Sequence, residues 1–227
     1  MKTFLMAMLA SAVCIQASAQ EKWISLFDGK TLNGWHTYAK EEVGSLWQVQ
    51  DGAITLDPAH RTKNGGGDIV TNESFNDFHL QLEWKIAKNG NSGIIFFIQE
   101  DPRYKNTWFT GPEMQVLDND GHEDGKIIKH RAGNLYDLIA GTEGAVKEVG
   151  EWNLVDIINE KGVLTLKLNG IETAKTTLGD DHWKELIKNS KFSKGESPDF
   201  GKIFSGKIAL QDHGNGVAYR NIRIQKL

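Results

Sequence analysis

Residues 79–86 have the sequence HLQLEWKI, in which polar and apolar side chains alternate at every position. This period of two places the four large apolar side chains on one face of an extended strand. A second stretch, GVLTLKLNGI at residues 162–171, has an Asn169-Gly170 pair between two strand-like runs, which is the typical signal of a β-hairpin. The sequence therefore predicts antiparallel strands as the main element of the fold.

Further strand candidates follow at short intervals, separated by Gly, Asn and Asp residues. Residues 94–98 (IIFFI) are apolar at every position, as expected of a central strand that is covered on both faces. The remaining candidates are residues 46–49, 53–56, 113–117, 152–159, 206–211 and 217–224. About ten to twelve short strands favour an all-β fold, an antiparallel β-sandwich or jelly roll.

One short helix is predicted at residues 181–190 (DHWKELIKNS). Its apolar residues Trp183, Leu186 and Ile187 have the i, i+3, i+4 spacing of a single helical face. An aspartate at position 180 or 181 can accept the backbone hydrogen bonds of the first turn. The helix is therefore expected to pack one apolar face against the sandwich.

The composition is that of a soluble globular protein. Of the 227 residues, 39% are hydrophobic and 25% are charged, and the formal net charge is −4. The lysines are scattered and form no basic stripe, so nucleic acid is not an expected partner. No Pro- or Ser-rich linker and no internal repeat divides residues 20–227, which are expected to form a single domain.

Residues 1–19 have the features of an export signal. Lys2 precedes an apolar run at residues 4–13, and the small-x-small sequence that ends at Ala19 fits a cleavage site after that residue. The apolar run is too short for a permanent membrane span. The protein is therefore expected to be exported, periplasmic or secreted, with no other membrane association. Lipidation at the single cysteine, Cys14, is the alternative, although the valine before it is a poor residue at that position.

The sequence lacks the motifs of several common enzyme classes, since it has no HExxH, no GxSxG, no GxxxxGK[ST] and no Cys/His cluster. An acidic loop at residues 118–124 (DNDGHED) resembles a calcium loop. However, Glu123 occupies the sixth position, where the EF-hand pattern requires glycine. A solvated loop is the expected structure, with a calcium site as the alternative.

Polar residues on two predicted strands form the candidate binding surface. Glu113 and Gln115 alternate with apolar residues and so share one face. Gln211 and His213 share a face in the same way near the C-terminus. A carboxylate, two amides and an imidazole suit a sugar, whose hydroxyls need paired donors and acceptors. A solvent-facing sheet surface explains the same residues equally well.

Three residues outside these strands complete the candidate site. Trp108 and Tyr136 are candidate platforms for stacking on the C–H face of a sugar. His130 lies in a polar loop, residues 129–137 (KHRAGNLYD), and an imidazole can act as a general base near neutral pH. The alternative for His130 is a structural histidine.

Ordered sequence blocks along residues 23–227 resemble the 3-keto-disaccharide hydrolase family, secreted bacterial domains long without a known function. The blocks are LFDGKTLNGW (26–35), FHLQLEW (78–84), NSGI (91–94), GPEMQVLD (111–118), GNLYD (133–137), EWN (151–153), LNG (168–170), LQDHG (210–214) and YRNI (219–222). The resemblance implies a concanavalin A-like sandwich and a carbohydrate substrate.

The resemblance further implies cleavage of glycosides whose C3 hydroxyl has been oxidised to a ketone. The ketone acidifies the C2 proton, so a base can form an enolate that expels the C1 substituent, and water can then add to the alkene. The site must supply a base near C2, an acid near the glycosidic oxygen, and donors or a cation for the enolate oxygen. A separate oxidoreductase that makes the 3-keto substrate is an expected pathway neighbour.

Within this family pattern, His130 or Glu113 is hypothesised to be the base, and the other to protonate the leaving group. The residues expected to bind hydroxyls or the C3 oxygen are Gln115, Gln211, His213 and Arg220. The other expected substrate-binding residues are Glu83, Asn91, Trp108, Asp118 and Tyr136. A divalent cation held by Glu113, His130 or His213 is an alternative source of positive charge for the enolate.

Two other functions stay open from the sequence. A retaining glycosidase on a similar sandwich carries E-x-D-x-x-E on one strand, but here the corresponding residues are Glu113, Gln115 and Asp118. An amide thus replaces the middle carboxyl, although retaining catalysis needs two carboxyls. A non-catalytic sugar-binding module is the other alternative, because a fold does not by itself determine function.

Overall fold

The computed structural model describes residues 22–63, 65–195 and 197–227. The expected export signal and its cleavage site lie outside the described residues. Within these ranges the elements are β1 (Ile24–Ser25), β2 (Trp35–Thr37), β3 (Trp47–Gln50), β4 (Ala53–Leu56), β5 (Ile69–Thr71), β6 (Phe78–Ile86), β7 (Asn91–Ile98), β8 (Glu113–Leu117), β9 (Asn153–Glu160), β10 (Val163–Leu168), β11 (Ile171–Thr177), α1 (Asp181–Lys188), β12 (Lys207–Leu210) and β13 (Val217–Lys226).

The strands form two sheets, and all strand pairs in the described part of the chain are antiparallel. The larger sheet has the order β11-β10-β9-β6-β13-β4-β3, with β1 paired to β13 as its eighth strand. The smaller, five-stranded sheet has the order β2-β5-β12-β7-β8. The predicted all-β sandwich is confirmed.

The alternating stretch that predicts a strand lies in the middle of the larger sheet. It forms β6, between β9 and β13, and Leu80, Leu82 and Trp84 are completely buried in the core between the sheets. Burial of such side chains stabilises the fold by about 25 cal/mol per Å² of apolar surface. The polar residues of β6 consequently face away from the core.

β7 is buried on both faces, as the apolar run at its residues 94–98 predicts. Ile94 and Phe96 join the core between the sheets. Ile95 points the other way, to the outer face of the five-stranded sheet, where it belongs to a small apolar cluster. The members of this cluster are Val70, Ile95, Ile98 and Ala209, with Tyr38 and Trp108 packed against them. Polar residues cover the end of this outer face that lies beside β8.

The predicted helix forms as α1 and docks through its apolar face. The Asp180 side chain accepts from the Trp183 N–H at 2.7 Å and caps the first turn. The buried indole of Trp183 donates to the Gly201 carbonyl at 2.7 Å. This docking sets the position of residues 191–194, which follow the helix as a short 3₁₀ turn. Within the described ranges, no helix is long and apolar enough to cross a membrane.

Candidate active site

A pocket of ≈ 510 Å³ opens on the outer face of the five-stranded sheet. Seven of its lining residues are predicted from the sequence: Asn91, Trp108, Glu113, Gln115, Tyr136, Gln211 and His213. Four lining residues that the sequence did not reveal follow α1: Lys191, Phe192, Lys194 and Ser197. The volume is typical of sites for small molecules.

Three neighbouring strands position the polar side chains of this pocket. Glu113 and Gln115 lie on β8, opposite Ile95 and Gly93 of β7. Gln211 directly follows β12, and its backbone N–H donates to the Gly93 carbonyl at 3.0 Å. Because alternate residues of a strand point to the same face, Glu113 and Gln115 both project into the pocket.

The Glu113 carboxyl is buried, with 7% of the residue exposed. Burial raises the pKa of Glu113 to about 8; the Lys191 ammonium opposes the rise, and the carboxylates of Asp68 and Asp124 add to it. A carboxyl removed from water resists ionisation because its charged form loses solvation. Glu113 is therefore protonated for most of the time at neutral pH.

Gly93 provides the space that this carboxyl occupies. A Cβ atom at position 93 would lie 2.6 Å from Cδ of Glu113, closer than real Cβ atoms approach their neighbours. The absence of a side chain on β7 thus lets the Glu113 carboxyl lie against the sheet.

The Gln115 amide holds the same carboxyl in place. Its nitrogen donates to Oε1 of Glu113 at 2.9 Å and to the Ser92 carbonyl at 3.2 Å, in the amide orientation that keeps its oxygen away from these acceptors. The amide also lies 3.2 Å from that of Asn91. These contacts engage Oε1 of Glu113 and leave Oε2 to carry the proton.

His213 lies on the pocket wall in the loop after β12. Partial burial lowers the pKa of His213, and the His122 imidazole, whose ring centre is 6.0 Å away, lowers it further. The residue nevertheless keeps an exposed surface. Its ring is therefore neutral at neutral pH and can accept a proton.

Asp68 connects two walls of the pocket from behind. Its Oδ2 accepts from Oγ1 of Thr107, the neighbour of Trp108, at 2.5 Å. Its Oδ1 accepts from the backbone N–H of Asp212, the neighbour of His213, at 2.8 Å. Burial raises the pKa of Asp68 to about 6. No pattern in the sequence indicates this residue, since an isolated aspartate has no diagnostic spacing.

Tyr136 and Lys191 form another wall. Nζ of Lys191 donates to Oη of Tyr136 at 3.0 Å and lies 4.2 Å from the centre of its ring. The tyrosine hydroxyl donates in turn to Oδ2 of Asp124 at 3.2 Å. Burial, together with the charges of Asp124 and Glu113, raises the pKa of Tyr136. The hydroxyl therefore keeps its proton.

His130 is not among the residues that line the pocket, and its expected role as an acid or base stays a prediction. The ring lies beside Tyr136, with 4.3 Å between the ring centres. Nδ1 is 3.3 Å from Oδ1 of Asp124, and Nε2 is 3.0 Å from Oδ1 of Asp137. Both nitrogens thus face carboxylates, and the ring packs beside the wall that contains Tyr136.

Glu83 and Arg220 also lie away from the pocket, on the larger sheet. They face each other on β6 and β13, where Nη2 of Arg220 donates to Oε2 of Glu83 at 2.6 Å. The guanidinium stacks on Trp152, 4.0 Å from the ring centre. The two side chains form a surface ion pair, because the apolar sides of these strands face the core, and their expected contacts with substrate stay predictions.

Asp118 shapes a turn and does not line this pocket. The residue is buried, and its carboxylate accepts from the backbone N–H groups of Asn89 at 2.7 Å and Gly121 at 3.0 Å. These backbone donors engage both of its oxygens, and its expected contact with substrate stays a prediction.

No group of three or more His, Cys, Asp or Glu side chains among the described residues is arranged to hold a metal ion. Of the three candidates for a divalent cation, Glu113 and His213 line the pocket. The third, His130, has both ring nitrogens beside carboxylates. A divalent cation held by Glu113, His130 or His213 stays a prediction.

The architecture is similar to that of solved structures. A Bacillus subtilis protein with a galectin-like fold is 14% identical, with a TM-score of 0.55 over 85% of this chain and 89% of that one, which shows the fold alone. A candidate glycosyl hydrolase from Parabacteroides distasonis is 33% identical, with a TM-score of 0.82 over 90% of this chain and 94% of that one. Fold and relatives together define a carbohydrate-cleaving β-sandwich protein.

Sequence comparison specifies the family. The sequence profile of the 3-keto-alpha-glucoside-1,2-lyase-like domain matches residues 22–225. A 3-keto-disaccharide hydrolase from Bacteroides thetaiotaomicron is 35% identical, over 90% of this chain and 78% of the relative. The chain belongs to the 3-keto-alpha-glucoside-1,2-lyase-like family, which confirms the resemblance of the sequence blocks.

Proposed function

We propose that the protein cleaves 3-keto glycosides, including 3-keto-disaccharides, by removal of the C2 proton and elimination of the C1 substituent. The observation that carries this proposal is the buried Glu113 carboxyl, whose pKa of about 8 keeps it protonated at neutral pH inside a small-molecule pocket. A departing C1 alkoxide needs such an acid, because it is a poor leaving group without a proton. The family and its named hydrolase support the substrate class.

His213 is the base in this reaction, a role that the sequence suggested for His130 or Glu113. Its lowered pKa leaves the ring neutral on the pocket wall. A proton next to a ketone is acidic enough for an imidazole to remove. As this proton moves to His213, the C2–H electron pair forms the C2=C3 bond, and the C3 oxygen gains negative charge.

Glu113 completes the elimination. When the C3 carbonyl re-forms, the electron pair moves between C1 and C2 and the C1–O bond breaks. The departing oxygen takes the proton from Oε2 of Glu113, the oxygen that Gln115 does not engage. The products are the free aglycone and a 1,2-alkene conjugated to the C3 ketone. Addition of water across this alkene completes a net hydrolysis.

Amides and an aromatic ring of the pocket suit a sugar. Oε1 of Gln211 is buried and has no hydrogen-bond partner among the described residues, so a substrate hydroxyl would satisfy it. Asn91 offers a second amide, and Trp108 offers a ring for the C–H face of the sugar. These groups orient the substrate between acid and base.

The arrangement of carboxyls favours elimination over double displacement. Retaining glycosidases use two carboxyls about 5–5.5 Å apart. Among the pocket residues that the structure describes, only Glu113 carries a carboxyl. Position 115 is an amide, and the carboxylate of Asp118 is bound to backbone N–H groups.

The proposal also includes export through residues 1–19 and a separate oxidoreductase that supplies the ketone.

Leaving-group dependence tests the two roles separately. E113Q is expected to lose about 10²–10⁴-fold of the rate on a 3-keto alkyl glycoside but to cleave a 3-keto 4-nitrophenyl glucoside almost normally, because nitrophenolate leaves without a proton. H213Q is expected to lose both activities and also the exchange of the C2 proton with D₂O. Equal losses on both substrates in E113Q would contradict its role as the acid. Normal C2 exchange in H213Q would contradict its role as the base.

A further inference from the structure

Two lysines, Lys191 and Lys194, line the pocket, and Lys191 is the one whose ammonium contacts another pocket residue, Tyr136. Elimination needs donors or positive charge at the C3 oxygen, and Arg220 is the one cationic side chain among the residues that the sequence suggested for hydroxyls or the C3 oxygen. Arg220 pairs with Glu83 on the larger sheet, whereas Lys191 lines the pocket in the 3₁₀ turn Lys191–Lys194.

The ammonium of Lys191 has more N–H donors than the one hydrogen bond to Tyr136 uses. It carries three N–H donors, and one of them donates to Oη of Tyr136 at 3.0 Å. The Tyr136 proton goes to Asp124, so this hydroxyl accepts from Lys191 and does not compete for a ligand oxygen. Among the described residues, no carboxylate forms an ion pair with Nζ of Lys191. Its charge and two donors are therefore available to a ligand.

The same ammonium is held in place before any ligand arrives. The backbone N–H of Lys191 donates to Oδ2 of Asp137 at 2.6 Å. Its Nζ lies 4.2 Å from the ring centre of Tyr136 and 5.3 Å from that of Phe192. A preorganised cation stabilises developing negative charge without reorganisation, which is how oxyanion-binding groups lower a barrier.

Lys191 also shares an electrostatic environment with the acid. Its positive charge lowers the pKa of Glu113, against the larger effect of burial. A cation that acts on the Glu113 carboxyl is near the place where the substrate reacts. It would likewise stabilise the Glu113 carboxylate that remains after proton transfer to the aglycone.

We infer that Lys191 donates to the C3 oxygen of the keto sugar and stabilises the enolate that forms when the C2 proton leaves. The inference rests on the proposed function. The ammonium keeps its proton throughout: the C2 proton goes to His213, and the electron pair passes through the C3 oxygen and returns to expel the C1 oxygen. Lys191 thus acts as a catalytic residue by charge and hydrogen bonding alone.

Substitution at position 191 tests this role with two readouts, C2 exchange in D₂O and release of 4-nitrophenolate from the 3-keto glucoside. K191M is expected to slow both by about 10²–10³-fold, as for loss of one oxyanion donor, with KM little changed. K191R keeps the charge and is expected to recover about tenfold or more. K188M, at an exposed residue of α1, is the matched control and should behave as the wild type.

The outcomes separate this inference from the proposed function. If the wild type cleaves the keto substrate and K191M exchanges C2 at nearly the wild-type rate, Lys191 does not stabilise the enolate. A change in KM alone would also overturn the inference, because it would indicate ground-state binding only. If the wild type itself fails to cleave the keto substrate, the proposed function fails first.

Discussion

The Glu113 carboxyl lies against Gly93, in the space that a side chain at position 93 would fill. The two residues are diagonal neighbours on β8 and β7, since Glu113 pairs with Ile95 and Gly93 pairs with Gln115. The missing side chain lets the carboxyl sit deep in the sheet surface, where burial raises its pKa to about 8. A single glycine thereby helps to create a protonated acid at neutral pH.

Alanine at position 93 tests this relationship. The new methyl group would lie 2.6 Å from Cδ of Glu113 and force the carboxyl outward. We expect G93A to lower the pKa of Glu113 toward 4.5, its ordinary value. The kcat on a 3-keto alkyl glycoside should fall by about tenfold or more.

The control for this prediction is G216A, whose Cβ would come no closer to a neighbour than 3.2 Å, at Cβ of Ala87. The alkaline limb of the pH–rate profile reports the Glu113 proton, and it should move to lower pH in G93A only. An unmoved limb in G93A would show that the glycine does not control this carboxyl.

Stability should fall with rising pH because of Glu113. Its pKa is raised from 4.5 to about 8 on folding, so between these values the native state holds a proton that the unfolded state has lost. Folding stability is therefore lost as pH rises through this window, by at most about 1.4 kcal/mol per pH unit. The glutamine side chain of E113Q does not titrate. The free energy of unfolding of E113Q should therefore rise relative to that of the wild type between about pH 5 and pH 8.

Urea denaturation of both proteins across this pH range measures the difference. Asp68, whose pKa is raised to about 6, is present in both proteins, so its effect cancels in the comparison. Parallel curves for wild type and E113Q would mean that Glu113 is not protonated in the folded state.

Removal of the His130 imidazole should loosen the pocket wall without removing an acid or base. In H130A, Asp124 and Asp137 lose their common partner, which should cost about 2–3 kcal/mol of unfolding free energy. We expect kcat to fall as Tyr136 shifts, while both limbs of the pH–rate profile stay in place. Loss of a whole limb in H130A would restore His130 as a group that exchanges protons with substrate.

The ion pair of Glu83 and Arg220 should be irrelevant to turnover. R220M removes the pair and the stacking on Trp152, at a cost of about 1 kcal/mol in unfolding free energy. The kcat/KM on a 3-keto glycoside should be unchanged, because the pair lies on the larger sheet. A folded R220M protein with activity reduced by about tenfold (about 1.4 kcal/mol) would contradict this placement.

The fold could be predicted because alternation along residues 79–86 and the hairpin at 162–171 are strong local signals. β1, β2 and β5 have only two or three residues each, too few to show a period of two. Alternation also grouped Glu113 with Gln115 correctly, as the pocket lining shows. Within one strand, the pattern determines which side chains share a face.

The remaining site residues depend on tertiary packing. Alternation cannot tell which of two sheets bears the pocket, so it could not show that Glu83 on β6 and Glu113 on β8 lie on different sheets. Lys191 reaches the pocket because Trp183 docks α1 on the Gly201 carbonyl, a contact that no local pattern reveals. The block GNLYD at residues 133–137 contains Asp137, but no local pattern predicts that this carboxylate and Asp124 lie beside the His130 ring.

The central claim is that this protein cleaves a glycosidic bond only after C3 has become a ketone. The most direct test incubates the purified protein with a 3-keto glucoside and, separately, with its unoxidised parent, and follows the products by mass spectrometry. We predict release of the aglycone from the keto compound alone, with a 1,2-alkene or its hydrated sugar as the second product. Cleavage of the parent glucoside, or binding of both compounds without turnover, would contradict the proposed elimination.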